Sequence, residues 1–337
     1  MKLIDLFSGI GGFAKGFQRA GYQFTEHYFS EIDKHAIANY KHNFPNANYI
    51  GDITTIQPAN LAGADIITFG SPCQDFSMAG RRAGLAGAKS SLIQYAIALI
   101  TCVRPSVFIW ENVKGAFSSN AGADFWAILQ AFTHIGGYRL EWQLLNTKWV
   151  LPQNRERIYL VGHLAGRSQP GVFPITEDDC APRKEKTYQF QAKLSGTLKA
   201  NGNMNADDTY IIPKTASTLT GGGHSGGLHS DMTIIQINPS KESGGKQPYQ
   251  QNRVFDEKGI SPALTRHNSD YAISRMRRLT EIECERLQGF PDNWTEYGNY
   301  NSDIKPIART QRYKLIGNAV TVDIVELIAK RLKFTTL

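Results

Sequence analysis

The sequence predicts an α/β fold: a parallel, doubly wound sheet first, then a second, smaller, loop-rich β domain. Two observations carry this. Over residues 1–162, short apolar strands alternate with amphipathic helical stretches, as in a sheet whose strands are joined by crossover helices. From about Ala165 the helical periodicity disappears, nine of the 31 glycines fall within 195–245, and all five tryptophans lie outside 163–272. A chain of 337 residues has room for two domains.

The expected strands are Lys2–Phe7, Tyr22–Phe29, Ile66–Phe69, Val107–Trp110, Leu140–Leu145 and Arg157–Gly162. Helices are expected at Phe13–Ala20, Lys34–Asn43, Ser91–Val103 and Asp124–His134. After Ser274 the pattern is helical again: Thr280 with Glu283 three residues on reads as a capping box, and Thr321–Leu332 reads as a final helix.

Composition excludes several classes. With 41% hydrophobic and 20% charged residues the chain is neither disordered nor fibrous. No apolar run approaches the ~18 residues of a membrane span, and the opening Met1-Lys2-Leu3-Ile4-Asp5 meets an acid too early for a signal peptide, so a cytoplasmic protein is expected. Four cysteines without a CxxC pair indicate neither disulfides nor a structural metal, and His224 and His229, at x4 spacing in a glycine-rich stretch with no cysteine nearby, read as surface histidines, so no metal is expected. The net charge of +7 is spread thinly, at +3, +1 and +3 over 1–162, 163–272 and 273–337. A polyanionic partner is compatible with that balance.

Chemistry concentrates where strands end. Strand Lys2–Phe7 runs into Ser8-Gly9-Ile10-Gly11-Gly12-Phe13-Ala14 and then a helix, a setting that lets a ligand approach the backbone. Glu31 and Asp52 follow at the ends of the second and third strands, where such folds place carboxylates on a nucleoside. Gly70-Ser71-Pro72-Cys73-Gln74 directly follows strand Ile66–Phe69 and holds a thiol behind a proline of fixed φ. Glu111-Asn112-Val113 follows Val107–Trp110; an acid there must be paired or face a cleft. Gln153-Asn-Arg155-Glu-Arg157 places two arginines at i, i+2 on an extended segment, a geometry suited to clamping a phosphate or a base edge.

In order and context these segments, with Arg278-Leu279-Thr280…Glu285-Arg286-Leu287-Gln288-Gly289-Phe290-Pro291 and Gly317-Asn318-Ala319-Val320, resemble the motif series of the cytosine-C5 DNA methyltransferases of bacteria and phages. The resemblance implies a Rossmann-like S-adenosylmethionine-dependent methyltransferase sheet. It implies a sequence-specific enzyme that methylates cytosine C5 in double-stranded DNA by base flipping, with Cys73 as nucleophile toward C6, Glu111 on the N3 side of the base, Arg157 beside it, and Arg155 and Gln153 bracing the site. To S-adenosylmethionine, which would leave as S-adenosylhomocysteine, it assigns Phe7, Ser8, Gly9, Gly11, Gly12, Glu31, Ile32, Asp52, Ile53, Pro72, Asn318 and Val320. DNA contacts are expected from Arg81, Arg82, Lys89, Arg253, Arg266 and Arg275. Lys89 departs from the family pattern, which has arginine there, and so offers a point charge in place of a fork.

The implied organisation is 1–165 as catalytic, cofactor-binding domain, 166–274 as target-recognition domain, 275–311 as hinge, and 312–337 returning to the catalytic domain. The partners implied are double-stranded DNA and, beside the enzyme, a restriction endonuclease; a monomer in the cytoplasm of a bacterial or phage-infected cell is expected. A tRNA cytosine-5 methyltransferase and a catalytically inactive DNA-binding regulator are the alternatives, and a dehydrogenase would leave Cys73 and Glu111 unexplained.

Overall fold

The computed structural model describes residues 1–71, 92–180 and 279–335. In chain order the elements are β1 (Lys2–Leu6), α1 (Gly12–Arg19), β2 (Glu26–Ser30), α2 (Lys34–Asn43), β3 (Asn48–Tyr49), β4 (Ile66–Gly70), α3 (Ile93–Val103), β5 (Val107–Val113), α4 (Lys114–Ser118), α5 (Ala123–His134), β6 (Tyr138–Asn146), β7 (Glu156–Leu164), β8 (Ser168–Gln169), α6 (Glu281–Leu287), β9 (Tyr297–Tyr300), β10 (Asp303–Pro306), α7 (Arg309–Asn318), α8 (Val322–Arg331) and β11 (Lys333–Phe334). Seven strands form one sheet in the order β3-β2-β1-β4-β5-β7-β6. The fold is a doubly wound α/β fold of Rossmann-like architecture.

Strand alternation sorts the core into two layers. Leu3, Ile66, Val107, Ile109, Tyr159 and Val161 join Phe13 and Phe17 of α1 and Val322 and Val325 of α8 on one face. Their neighbours in sequence, Ile4, Ile67, Phe108, Trp110, Ile158 and Leu160, join α3 and α5 on the other. Helices therefore cover both faces, and the central strands are apolar almost throughout, as double burial requires.

Two expectations need correction. The sheet is not wholly parallel: β1, β2, β3, β4 and β5 pair in parallel, but β7 runs antiparallel to both β5 and β6. The link between β6 and β7 holds only a short turn, Thr147–Trp149, too little for a crossover helix. The second strand starts at Glu26 rather than Tyr22, because the rings of Tyr22 and Phe24 pack edge-on against Phe17 of α1 instead of entering the sheet.

The end of the described chain returns to its beginning. α8 crosses α1 at Gly16, where an added Cβ would lie 2.5 Å from Val325. Arg19 of α1 binds Asp323 Oδ1 and Glu326 Oε2 of α8, each at 2.7 Å, and also donates to the Gly289 carbonyl. The Tyr22 hydroxyl donates to the Ala329 carbonyl at 3.0 Å. The capping box of α6 is present as its spacing predicts, with Glu283 N donating to Thr280 Oγ1 and Thr280 N to Glu283 Oε2. Among the described residues no helix is long and apolar enough to cross a membrane.

The Arg19 cluster is mostly buried, so removing its guanidinium leaves two neighbouring carboxylates of α8 facing α1 without their shared cation. Arg19→Ala is expected to lower unfolding stability by about 2–3 kcal/mol, somewhat less than a fully buried pair because Lys330 still neutralises Glu326. Urea denaturation followed by circular dichroism measures this; a change within the error of the wild-type curve would show that the cluster does not hold the two helices together.

Candidate active site at the carboxyl ends of the strands

The first half of the site is the turn between β1 and α1. Phe7, Gly9 and Gly11 all have positive φ, of 50°, 54° and 83°. Such backbone suits glycine and strains phenylalanine. At Gly11 a Cβ would lie 2.3 Å from the Phe44 ring, and at Gly12 it would lie 2.6 Å from the Val320 carbonyl oxygen. The missing side chains let helix α2 and the α7–α8 junction close on the turn.

The turn is tied to the next strand by Ser8 N donating to Ser30 O at 3.1 Å and Gly9 N to Glu31 Oε2 at 2.9 Å. Glu31 Oε1 accepts from Ile32 N and Asp33 N. This carboxylate is thus locked at the end of β2, with lone-pair capacity left over. Beside it the Ile32 side chain is 72% exposed, an apolar face without a neighbour to cover it among the described residues. One strand further, Ser30 Oγ donates to Gly51 O at 2.7 Å, which brings Asp52 to the same rim. Asp52 Oδ1 caps the short turn Ile53–Thr55 through Thr54 N and Thr54 Oγ1, while Ile53 is buried beneath.

The second half lies at the ends of β4 and β5. Gly70 pairs in register with Glu111. A Cβ at Gly70 would stand 3.1 Å from Glu111 Oε2, so this glycine leaves room for the carboxylate. Glu111 is 8% exposed, and its Oε1 lies 3.1 Å from Arg157 Nε on β7, an ion pair whose angles fall outside a hydrogen bond. A buried acid at a strand end is stable here because the antiparallel β7 delivers the guanidinium. Ser71 is held by two donors, Trp110 Nε1 at 2.9 Å and Asn112 Nδ2 at 3.1 Å, while Asn112 Oδ1 accepts from Val113 N. Beside Glu111, the Tyr159 phenol is pushed well up by burial first and by the Glu111 charge second, so it stays protonated.

Val320 joins the halves: its carbonyl meets Gly12 and its Cγ2 lies 3.9 Å from the Cβ position of Gly70. Arg155 holds the segment that carries it, and Gln153 holds the end of α6. Arg155 Nη2 donates to Ala319 O at 2.9 Å and Nη1 to Gly317 O at 3.4 Å; Gln153 Nε2 donates to Leu287 O at 3.3 Å. The two arginines of the i, i+2 pair therefore do not close on one anion. Arg157 turns to Glu111, and Arg155 to the α7–α8 junction. Asn318 is exposed there.

Several contributors carry no signal in the sequence reading. Thr321 Oγ1 donates to Gln288 Oε1 at 3.0 Å and lies 3.1 Å from Thr147 Oγ1, and Gln288 Nε2 donates to Ile316 O. Gln288 and Thr321 sit in or beside quoted motifs, yet only their long-range partners reveal what they do. Pro72, Cys73, Arg81, Arg82, Lys89, Arg253, Arg266 and Arg275 lie outside the described residues. Among the described residues no cluster of metal-binding side chains occurs.

A family model described as C-5 cytosine-specific DNA methylase matches residues 1–334. The chain is 30% identical to the Type II methyltransferase M.Bsp6I of Bacillus sp. (strain RFL6), over 98% of each chain, and 30% identical to the Type II methyltransferase M.NgoBI of Neisseria gonorrhoeae, over 98% and 92%. Among solved structures, the S. pombe Dnmt2 methyltransferase matches with a TM-score of 0.59 at 18% identity, covering 98% of this chain and 97% of that one, a likeness of fold.

Arg155 is 3% exposed and supports two carbonyls that would otherwise lose a charged donor. Arg155→Met is expected to cost about 2–3 kcal/mol and to raise amide hydrogen exchange across 317–321 more than in β1. Uniform protection in both variants would mean that Arg155 does not hold the junction.

Proposed function

We propose, from the premise that the chain belongs to the C-5 cytosine-specific DNA methylase family and is a DNA cytosine-5 methyltransferase, that Cys73 and the Glu111–Arg157 pair carry the chemistry on a cytosine flipped out of double-stranded DNA. The observation that carries this reading is the buried Glu111–Arg157 pair at the end of β5, beside Gly70 at the end of the strand that leads to Cys73. Carbon 5 of cytosine is a poor nucleophile. Addition of the Cys73 thiolate to C6 makes an enamine of C5, while Glu111 hydrogen-bonds or protonates N3 as negative charge develops there. Carbon 5 then takes a methyl group and loses its proton to a base, and the C6–Sγ bond breaks to release Cys73 as thiolate. Flipping costs a few kcal/mol of lost stacking and pairing, which contacts to the extruded base must offset.

The cofactor half of the site fits S-adenosylmethionine. Ser8 Oγ is buried beside the turn without a partner, Glu31 has lone-pair capacity for ribose hydroxyls, Ile32 offers an apolar face to adenine, and Asp52 with Ile53 offers a polar edge. Phe7, Gly9, Gly11 and Gly12 would seat the methionine end, with Pro72, Asn318 and Val320 closing the pocket. When bound, this cofactor supplies an electrophilic methyl group and leaves as S-adenosylhomocysteine. The chain's part is to fix and orient it and to exclude water.

We assign residues 1–165 and 312–337 to the catalytic body, 166–274 to target recognition and 275–311 to a hinge. In this reading Arg81, Arg82 and Lys89 close over the flipped base, and Arg253, Arg266 and Arg275 contact the DNA. The Type II names of the relatives support action beside a restriction endonuclease in the cytoplasm of a bacterial or phage-infected cell, and the motif set, complete in one chain, supports a monomer.

A duplex library carrying 5-fluorocytosine tests the mechanism, because fluorine at C5 cannot leave as a proton and the adduct is trapped. Wild-type protein with S-adenosylmethionine should form a covalent protein–DNA species and Cys73→Ala none, while Glu111→Gln should lower the single-turnover rate by about 10²–10⁴-fold on ordinary DNA. An adduct with Cys73→Ala, or none with the wild type in any sequence context, overturns the assignment.

A further inference from the structure

Beneath the glycine turn runs a chain of buried polar groups that the chemistry above leaves unused. Asp5, one residue before the end of β1, is 0% exposed. Its Oδ1 accepts from Thr68 Oγ1 of β4 at 2.8 Å and its Oδ2 from the Tyr40 hydroxyl of α2 at 3.0 Å. The Tyr40 hydroxyl lies 2.7 Å from His27 Nε2 of β2. The phenol has one proton, and giving it to Asp5 leaves Tyr40 to accept from His27 Nε2–H. Burial holds His27 down at about 4, so that ring is neutral.

This arrangement spans both halves of the site. The turn 7–12 begins two residues after Asp5, and the Tyr40 ring whose hydroxyl donates to the carboxyl lies 3.1 Å from the Cβ position of Gly11, so the carboxyl sits beside the base of the turn. Thr68 stands on β4, which leads to Gly70 and Ser71. Yet none of the ion pairs among the described residues includes Asp5. The charged group felt most strongly is another acid, Glu31, at the rim where the cofactor is placed; the remaining neighbours, Tyr40, His27 and Thr68, are neutral. Burial first, with help from Glu31, raises the Asp5 carboxyl to about 7. Folding thus favours its protonated form: the stability it lends is complete below the ordinary carboxylate range and is lost as the pH climbs to about 7. At neutral pH the fold keeps a buried acid that no cation of the described chain offsets.

We propose that Asp5 is a positioning residue for the cofactor, the internal counter-charge of a cationic ligand seated on the glycine turn, so that its ionised form strengthens binding of S-adenosylmethionine. This rests on the cofactor reading above. S-Adenosylmethionine carries a sulfonium charge that S-adenosylhomocysteine lacks, and a carboxylate beneath the turn acts on that difference. A role confined to shaping the turn would affect the two ligands alike.

Isothermal titration calorimetry of both ligands across about pH 6–8.5, on wild type, Asp5→Asn and Thr68→Val, tests the proposal. In the wild type the ratio of affinities, sulfonium ligand over thioether, is expected to rise with pH by about tenfold, the equivalent of one pKa unit of coupling. In Asp5→Asn the ratio should be lower at high pH and flat. Thr68→Val removes one donor to the carboxylate and should move the rise to higher pH, a displacement that a merely structural role would not produce. Thermal unfolding checks that each variant folds. A wild-type ratio that does not change with pH, or an Asp5→Asn protein that keeps the rise, overturns the proposal while leaving the cofactor reading intact. Failure of either ligand to bind at any pH overturns both.

Discussion

The architecture depends on one steric concession. At Gly12 a hydrogen stands where any other residue would carry a Cβ, and the Val320 carbonyl occupies the space, 2.6 Å from where that carbon would be. Because the α7–α8 junction can enter there, α8 crosses α1 at Gly16, Arg19 finds Asp323 and Glu326, and Val320 becomes a wall shared by the glycine turn and the end of β4. Arg155 and Thr321 then fix the junction from the other side. Residues 300 positions apart in sequence are thereby made one surface, and the enclosed position decides how closely a ligand can approach the turn.

What the sequence reveals depends on how local the cause is. The β1–turn–α1 unit, the helix Lys34–Asn43 and the capping box at Thr280 are legible because their determinants lie within a few residues of one another. Strand direction is not. β7 is buried on both faces, and its apolar run reads the same whether it lies parallel or antiparallel to β5; only the shortness of the Thr147–Trp149 link excludes a crossover. The β9–β10 hairpin has no alternation to read, since all of β10 is exposed. In the site, Glu111 and Arg157 stand out as charged residues at strand ends, whereas the placement of Arg155 and Gln153 depends on carbonyls more than 130 residues away. No window along the chain contains both partners.

The two buried acids of the site illustrate different solutions to one electrostatic problem. Glu111 has a guanidinium brought to it by an antiparallel neighbour, which keeps a charged group at a strand end with little exposure. Asp5 has only neutral donors, and the fold answers by raising its proton affinity toward neutrality. The first arrangement suits a group that must stay ready beside a substrate; the second leaves a group whose charge state responds to what is placed above it.

Cys180 and Leu279 flank the interval 181–278, and both are buried in the same apolar cluster. The chain therefore leaves and re-enters the described fold at two anchors that belong to one core. Segments could be exchanged there between related enzymes, lengthened or shortened, with the sheet and its strand-end chemistry left to fold as before. Evolution can in this way vary the guest at the cost of two anchor contacts and leave the host untouched.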